Sequence, residues 1–106
     1  MAKYQILRWG DIPTGVRARD TDGTVSEHLH ERFQNAVDAV ATATDRVGTD
    51  AYLAEWSWGG KTERDGSAAD VARIVAAELE ESITTSGLRE IKMQMIDSYG
   101  RAGTTH

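Results

Sequence analysis

The chain contains no cysteine. Disulfides, thiolate metal ligands and thiol nucleophiles are therefore excluded, and a reducing compartment fits the composition. No apolar run approaches the ~20 residues of a membrane-spanning helix. The opening stretch MAKYQILRWG is too short in apolar character for a secretory signal. A cytoplasmic protein with no membrane partner is the expectation. Positive charge is in deficit, with 12 Lys and Arg against 17 Asp and Glu and a net charge of −5. An acidic domain repels phosphate backbones, so nucleic acid is not an expected partner.

What is present fits one small globular domain. A length of 106 residues, 40% hydrophobic and 27% charged, supports one modest core and is not the composition of a disordered chain. The charge is uneven. Residues 1–20 carry Lys3, Arg8, Arg17 and Arg19 against Asp11 and Asp20, whereas the ELEES run at 78–82 is acidic.

Periodicity divides the chain. KYQILRW (3–9) reads as a strand with apolar weight on both faces. GDIPTG follows as a break, because Pro13 has no amide hydrogen and glycine tolerates turn geometry. VRARD (16–20) alternates, Val16 and Ala18 on one side and Arg17 and Arg19 on the other. Asp22-Gly23 then signals a hairpin, with TVSEHL as the return strand. From His30 to Val47 the spacing turns helical, with Leu29, Phe33, Ala36, Val37, Val40 and Val47 on one stripe and Gly48 as the stop. AYLAEWSW (51–58) alternates again, placing Tyr52, Ala54, Trp56 and Trp58 on one strand face, and KTERDG reads as a charged loop. Ser67 opens a second helix, with Asp70 completing a capping box and Val71, Ile74, Val75 and Leu79 as the buried stripe. After Ser86-Gly87, LREIKMQMIDSYG suggests a third, short helix, and RAGTTH a frayed tail.

This order points to an α+β fold. A small, mainly antiparallel sheet of three to four strands is covered on one face by two helices, with a possible third C-terminal helix. The expected division is one α+β domain at 1–85 and a C-terminal extension at 86–106.

Catalytic patterns are few. GGKT (59–62) ends like a phosphate-binding loop, but the glycine that motif requires five positions before Gly60 is Glu55, and a turn after a strand accounts for it. His28 and His30 would point the same way on an extended segment, yet no third ligand is placed by sequence. No nucleophile or acid–base pair stands in a known local frame. Nothing in these patterns calls for a cofactor or a resident metal. The tryptophans admit three readings: a core under a helix, a partner-binding patch, or a stacking site. Core packing is preferred, because Glu55 interrupts the pair and Lys61 is the nearest cation.

Three blocks carry a resemblance. Trp9, Asp11, Ile12, Pro13 and Val16 form the first. Leu29, Arg32, Phe33, Gln34, Ala36 and Asp38 form the second, and Ala51, Tyr52, Leu53 and Trp56 the third. Over residues 3–83 the chain resembles the small domain family labelled "virulence factor", which also forms the C-terminal part of larger proteins called conserved virulence factor C. In those proteins the domain accompanies helical repeats and a segment similar to iron–sulfur scaffold N-terminal domains, which implies an adaptor role. Stand-alone members look associated with corrinoid and folate one-carbon methyl-transfer systems, which implies an accessory subunit. The label names a phenotype, and no catalytic residue is carried over.

The expected function is a non-catalytic interaction module that docks on another protein through an arginine face (Arg17, Arg19) and an apolar C-terminal segment (Leu88, Ile91, Met95, Ile96). The alternative is a small-ligand or accessory subunit that holds a folate or another anion with Arg8, Arg17, Arg19 and an exposed Trp9 or Trp58.

Overall fold

The computed structural model describes residues 1–99. Strand β1 (Ala2–Trp9) turns through Gly10-Asp11 into β2 (Ile12–Asp20), and β2 turns into β3 (Gly23–His28). Helix α1 (Glu31–Ala43) and the single-turn helix α2 (Asp50–Ala54) follow. Short strands β4 (Trp56–Trp58) and β5 (Thr62–Arg64) precede α3 (Ala68–Ser82) and α4 (Thr85–Tyr99). All described strand pairings are antiparallel, in the order β3-β2-β1-β4, and β5 pairs with the same edge of β1 as β4 does. The α+β expectation holds; the third helix, α4, runs for 15 residues, and the single-turn α2 is an addition.

Alternation along β1 and β2 decides the layers. Ile6 faces Val16 across the ladder and Tyr4 faces Ala18. These side chains join Phe33, Val37 and Val40 of α1 and Val71, Ala72 and Val75 of α3 in one core cluster. The α3 stripe is richer in alanine than its sequence suggests: Ala68, Ala72 and Ala76 are buried, while Ile74 is only half-buried. Small side chains let the helix lie close on the sheet. Val25 continues the apolar row onto β3, but Glu27 stands opposite Val16 at the sheet edge and stays exposed.

Four local readings of the sequence are corrected. First, β2 begins at Ile12 and so contains Pro13. The register between β1 and β2 shifts at Leu7/Arg8, opposite Pro13, and a bulge tolerates a residue with no N–H to give. Second, α1 ends at Ala43 rather than Val47. Asp45 takes the left-handed conformation (φ 57°), and the Arg46 N–H returns to the Ala41 carbonyl at 2.8 Å. That is the geometry of a helix stop, and it leaves Val47 64% exposed. Third, residues 50–54 are helical, not extended. The Thr49 side chain caps the turn by accepting from the Tyr52 N–H, a stronger local signal than the two-residue aromatic spacing. Fourth, Thr62–Arg64 is a strand inside the stretch read as a loop. Its Arg64 makes a bidentate pair with Glu78 of α3 at 2.6 and 2.8 Å.

Polar groups tie the helices to the sheet. Asp20 accepts from the Asp22 and Gly23 N–H groups in the hairpin and from Ala68 N–H at the start of α3. Arg32 Nη2 donates to the Glu80 and Ile83 carbonyls at the end of α3 (2.7 and 3.0 Å). Those are carbonyls a helix terminus leaves without internal partners.

Helix α4 packs on α1 and reaches the β1–β2 turn. There Trp9 is fully buried, its indole N–H donating to the Tyr52 carbonyl at 2.9 Å. The rings of Tyr52 and Tyr99 lie 5.7 and 6.3 Å from it. The Tyr99 hydroxyl donates to Glu55 at 2.7 Å, and burial, then that carboxylate, push its pKa up to about 12. The tail at 100–106 lies outside the described residues.

Gly10 has φ 58°, and an added Cβ would collide with Met95 Cε and the Tyr99 hydroxyl. Gly10→Ala is expected to cost about 2–4 kcal/mol from left-handed strain and overpacking together. The urea midpoint measures it, and near-wild-type stability would refute both the left-handed turn at Gly10 and the seating of α4 on it.

Candidate functional site

The pleat that sends Ile6 and Val16 to the core sends their neighbours to the opposite face. Lys3 of β1 faces Arg19 of β2, which faces Thr24 of β3. One row along, Gln5 faces Arg17, which faces Ser26. A groove of about 490 Å³ runs over these rows, lined by Lys3, Gln5, Arg17, Arg19, Thr24 and Lys61 among others. Four cations thus gather on one face of an acidic chain. Like charges directly opposite on neighbouring strands destabilise a sheet, and Lys3 opposite Arg19 is such a pair.

The groove also holds two carboxylates, so its four cationic side chains outnumber its anions by two. Glu63 stands 3.8 Å from Lys3 in an exposed pair, a contact of small worth in water. Asp20 is committed to three backbone N–H donors, Ala68 foremost, which lower its pKa. Arg19 and Lys61 have no ion-pair partner among the described residues.

Arg17 is held in place. Its Nη2 donates to Gln5 Oε1 at 3.0 Å, and Gln5 Nε2 donates to the Gly59 carbonyl at 3.0 Å. The guanidinium lies 4.0 Å over the Trp58 ring, a cation–π stack that leaves the remaining donors available. Trp58 is 43% exposed.

The tryptophans therefore part company. Trp56 is half-buried against the core and meets Tyr52 edge-on at 6.2 Å, while Trp58 stays on the surface under Arg17. Of the other residues singled out from sequence, Trp9 is buried and offers no ring to a ligand. Arg8 stands beside Gly59, outside the groove lining. Leu88 and Met95 are 4% and 1% exposed, within the core, and Ile91 and Ile96 are half-buried against it. The apolar stripe of α4 is thus taken up inside the chain. Lys3 and Lys61 were missed because their place depends on cross-strand register, although the pleat alone puts Lys3 on the Gln5 side.

The remaining motifs resolve into structure. Gly59 donates its N–H to the Ile6 carbonyl at 2.9 Å, so GGKT is the joint between β4 and β5. His30 caps α1 by accepting from the Arg32 N–H through Nδ1. Among the described residues, no group of three or more His, Asp or Glu is placed to hold a metal ion, and no helix is long and apolar enough to cross a membrane.

A protein-family model described as "Virulence factor" matches residues 7–91. The chain belongs to the virulence factor family. The match begins at Leu7, near the end of β1, and runs through the first half of α4. No curated protein and no solved structure matches the chain. Several residues that carry the virulence factor resemblance are structural here: Trp9 and Phe33 fill the core, and Arg32 ends α3.

Two measurements test this geometry. Acrylamide should quench Trp58 and leave Trp9 protected, and Arg17→Ala should raise the accessible fraction. Protection of Trp58 would mean that the face is covered. Asp20 has a lowered folded pKa, so its stabilisation is complete above the ordinary value of 3.8 and is lost as pH falls through the lower folded value. The gap in melting temperature between wild type and Asp20→Ala should therefore be widest near neutral pH and narrow below about pH 4.

Proposed function

We propose that this virulence factor domain is a non-catalytic interaction module whose open sheet face docks on an acidic, extended segment of a partner protein. The observation that carries the reading is the Lys3–Arg19 pair. Two like charges face each other on adjacent strands, with a third cation at Arg17 held ready by Gln5 and Trp58. A carboxylate-bearing segment laid along the groove relieves that repulsion, and Trp58 supplies an amphipathic anchor of the kind enriched at binding hot spots. Charges on such a face steer encounter as well as hold the partner.

A second reading is favoured by the size of the groove. About 490 Å³ lies within the ~300–1,000 Å³ of small-ligand sites, and the Arg17–Trp58 stack offers a flat surface to a conjugated ring. A folate-like anion held there would make the chain an accessory subunit in one-carbon methyl transfer.

The experiment is fluorescence anisotropy with a labelled glutamate-rich peptide, at low and high salt. Binding should weaken with salt and fall roughly ten-fold or more in Arg17→Glu/Arg19→Glu. Equal binding by the double variant would refute the docking face. A melting shift with folates or corrinoids, absent with the peptide, would favour the second reading.

A further inference from the structure

A separate cavity of about 220 Å³ lies between α1 and α4. Its lining includes Arg32, Asn35, Thr85, Arg89 and Lys92, and no carboxylate. Three cations in one small hollow repel one another, and a chain of net charge −5 has acidic side chains enough to neutralise them. None lines this hollow. Arg89 and Lys92 have no ion-pair partner among the described residues.

Arg32 is the fixed member. The carbonyls at the end of α3 hold its Nη2, and the Phe33 ring lies 4.6 Å beneath its guanidinium. Its Nε is buried and has no hydrogen-bond partner. That unmade bond keeps the guanidinium short of a full set of partners. Asn35 and Thr85 add neutral hydrogen-bonding groups at the rim, one from each helix.

We infer that this hollow is a binding site for a small phosphate-type oxyanion, either free phosphate or the terminal phosphate of a small metabolite. Its volume is several times the ~30 Å³ of a water molecule, enough for a tetrahedral oxyanion with a short substituent. A guanidinium already fixed in place loses little entropy on binding, and Arg89 and Lys92 add charge from α4. Residues 85 to 92 give the site Thr85, Arg89 and Lys92, so the anion bridges α4 to α1 and tightens the seating of the C-terminal helix. The site shares no residue with the sheet-face groove and stands or falls independently of it.

The test is NMR titration of the whole chain with inorganic phosphate and, separately, glycerol 3-phosphate, against chloride at matched ionic strength. Saturable shifts should centre on the amides around Arg32, Asn35, Thr85 and Arg89. Response to phosphate alone assigns the free ion, and response to both assigns the terminal group; either supports the site. Arg89→Ala/Lys92→Ala should weaken binding on the order of ten-fold or more, while Arg73→Ala, which removes a cation elsewhere on the surface, should leave it unchanged. These α4 positions are exposed or half-exposed, so the double variant should fold, and its melting temperature without phosphate checks that. Shifts no larger than those with chloride, or binding unaltered in the double variant, overturn the inference.

Discussion

The two-residue pleat of β1 and β2 is the constraint on which the rest of the molecule depends. It forces every second side chain to one face, and the sequence places Tyr4, Ile6, Val16 and Ala18 there. Helices α1 and α3 can pack only on that face, because neither has a stable existence without a partner for its apolar stripe. The same pleat delivers Lys3, Gln5, Arg17 and Arg19 to the other face. Core and candidate site are thus two sides of one alternation, and a one-residue slip in register would exchange them.

Polar ties fix the helices at their ends, where apolar contact alone is nonspecific. Asp20 joins the hairpin to the start of α3. Arg32 joins α1 to the end of α3. Tyr99 and Glu55 lock the end of α4 to the turn around Gly10. Each uses a backbone or charged group that would otherwise lack a partner, so each adds specificity along with modest stability. The arginine in the second block of the resemblance thereby acquires a physical role that no catalytic reading supplies.

Much of this was legible in the sequence wherever a signal was local. Asp22-Gly23 marked the hairpin, Ser67 marked the start of α3, and Val-Arg-Ala-Arg alternation put Arg17 and Arg19 on one face. Legibility failed where a local pattern competed with another. Tyr52, Ala54 and Trp56 are spaced as on a strand, yet the Thr49 cap wound the first part into a helical turn. It failed again where long-range pairing decides. Thr62–Arg64 has no strand composition of its own and is extended because β1 has a free edge. The apolar stripe of α4 was readable as a stripe, but not which surface it covers: a helical wheel cannot distinguish a surface reserved for a foreign protein from one that closes the chain's own core. Lys3 and Lys61 joined the arginines only through strand register, and Arg89 and Lys92 joined Arg32 only through the packing of two helices.

Glu27 has a consequence for how the molecule behaves in a crowded solution. It sits on the outermost strand with its carboxylate on the side turned toward the helices, at the point where another ladder would continue the sheet. A newcomer strand would have to crowd that charge into apolar surroundings, and inward-pointing charges on edge strands discourage such growth. The β3 margin is therefore self-terminating: a single inward-facing carboxylate disfavours fibre-like extension.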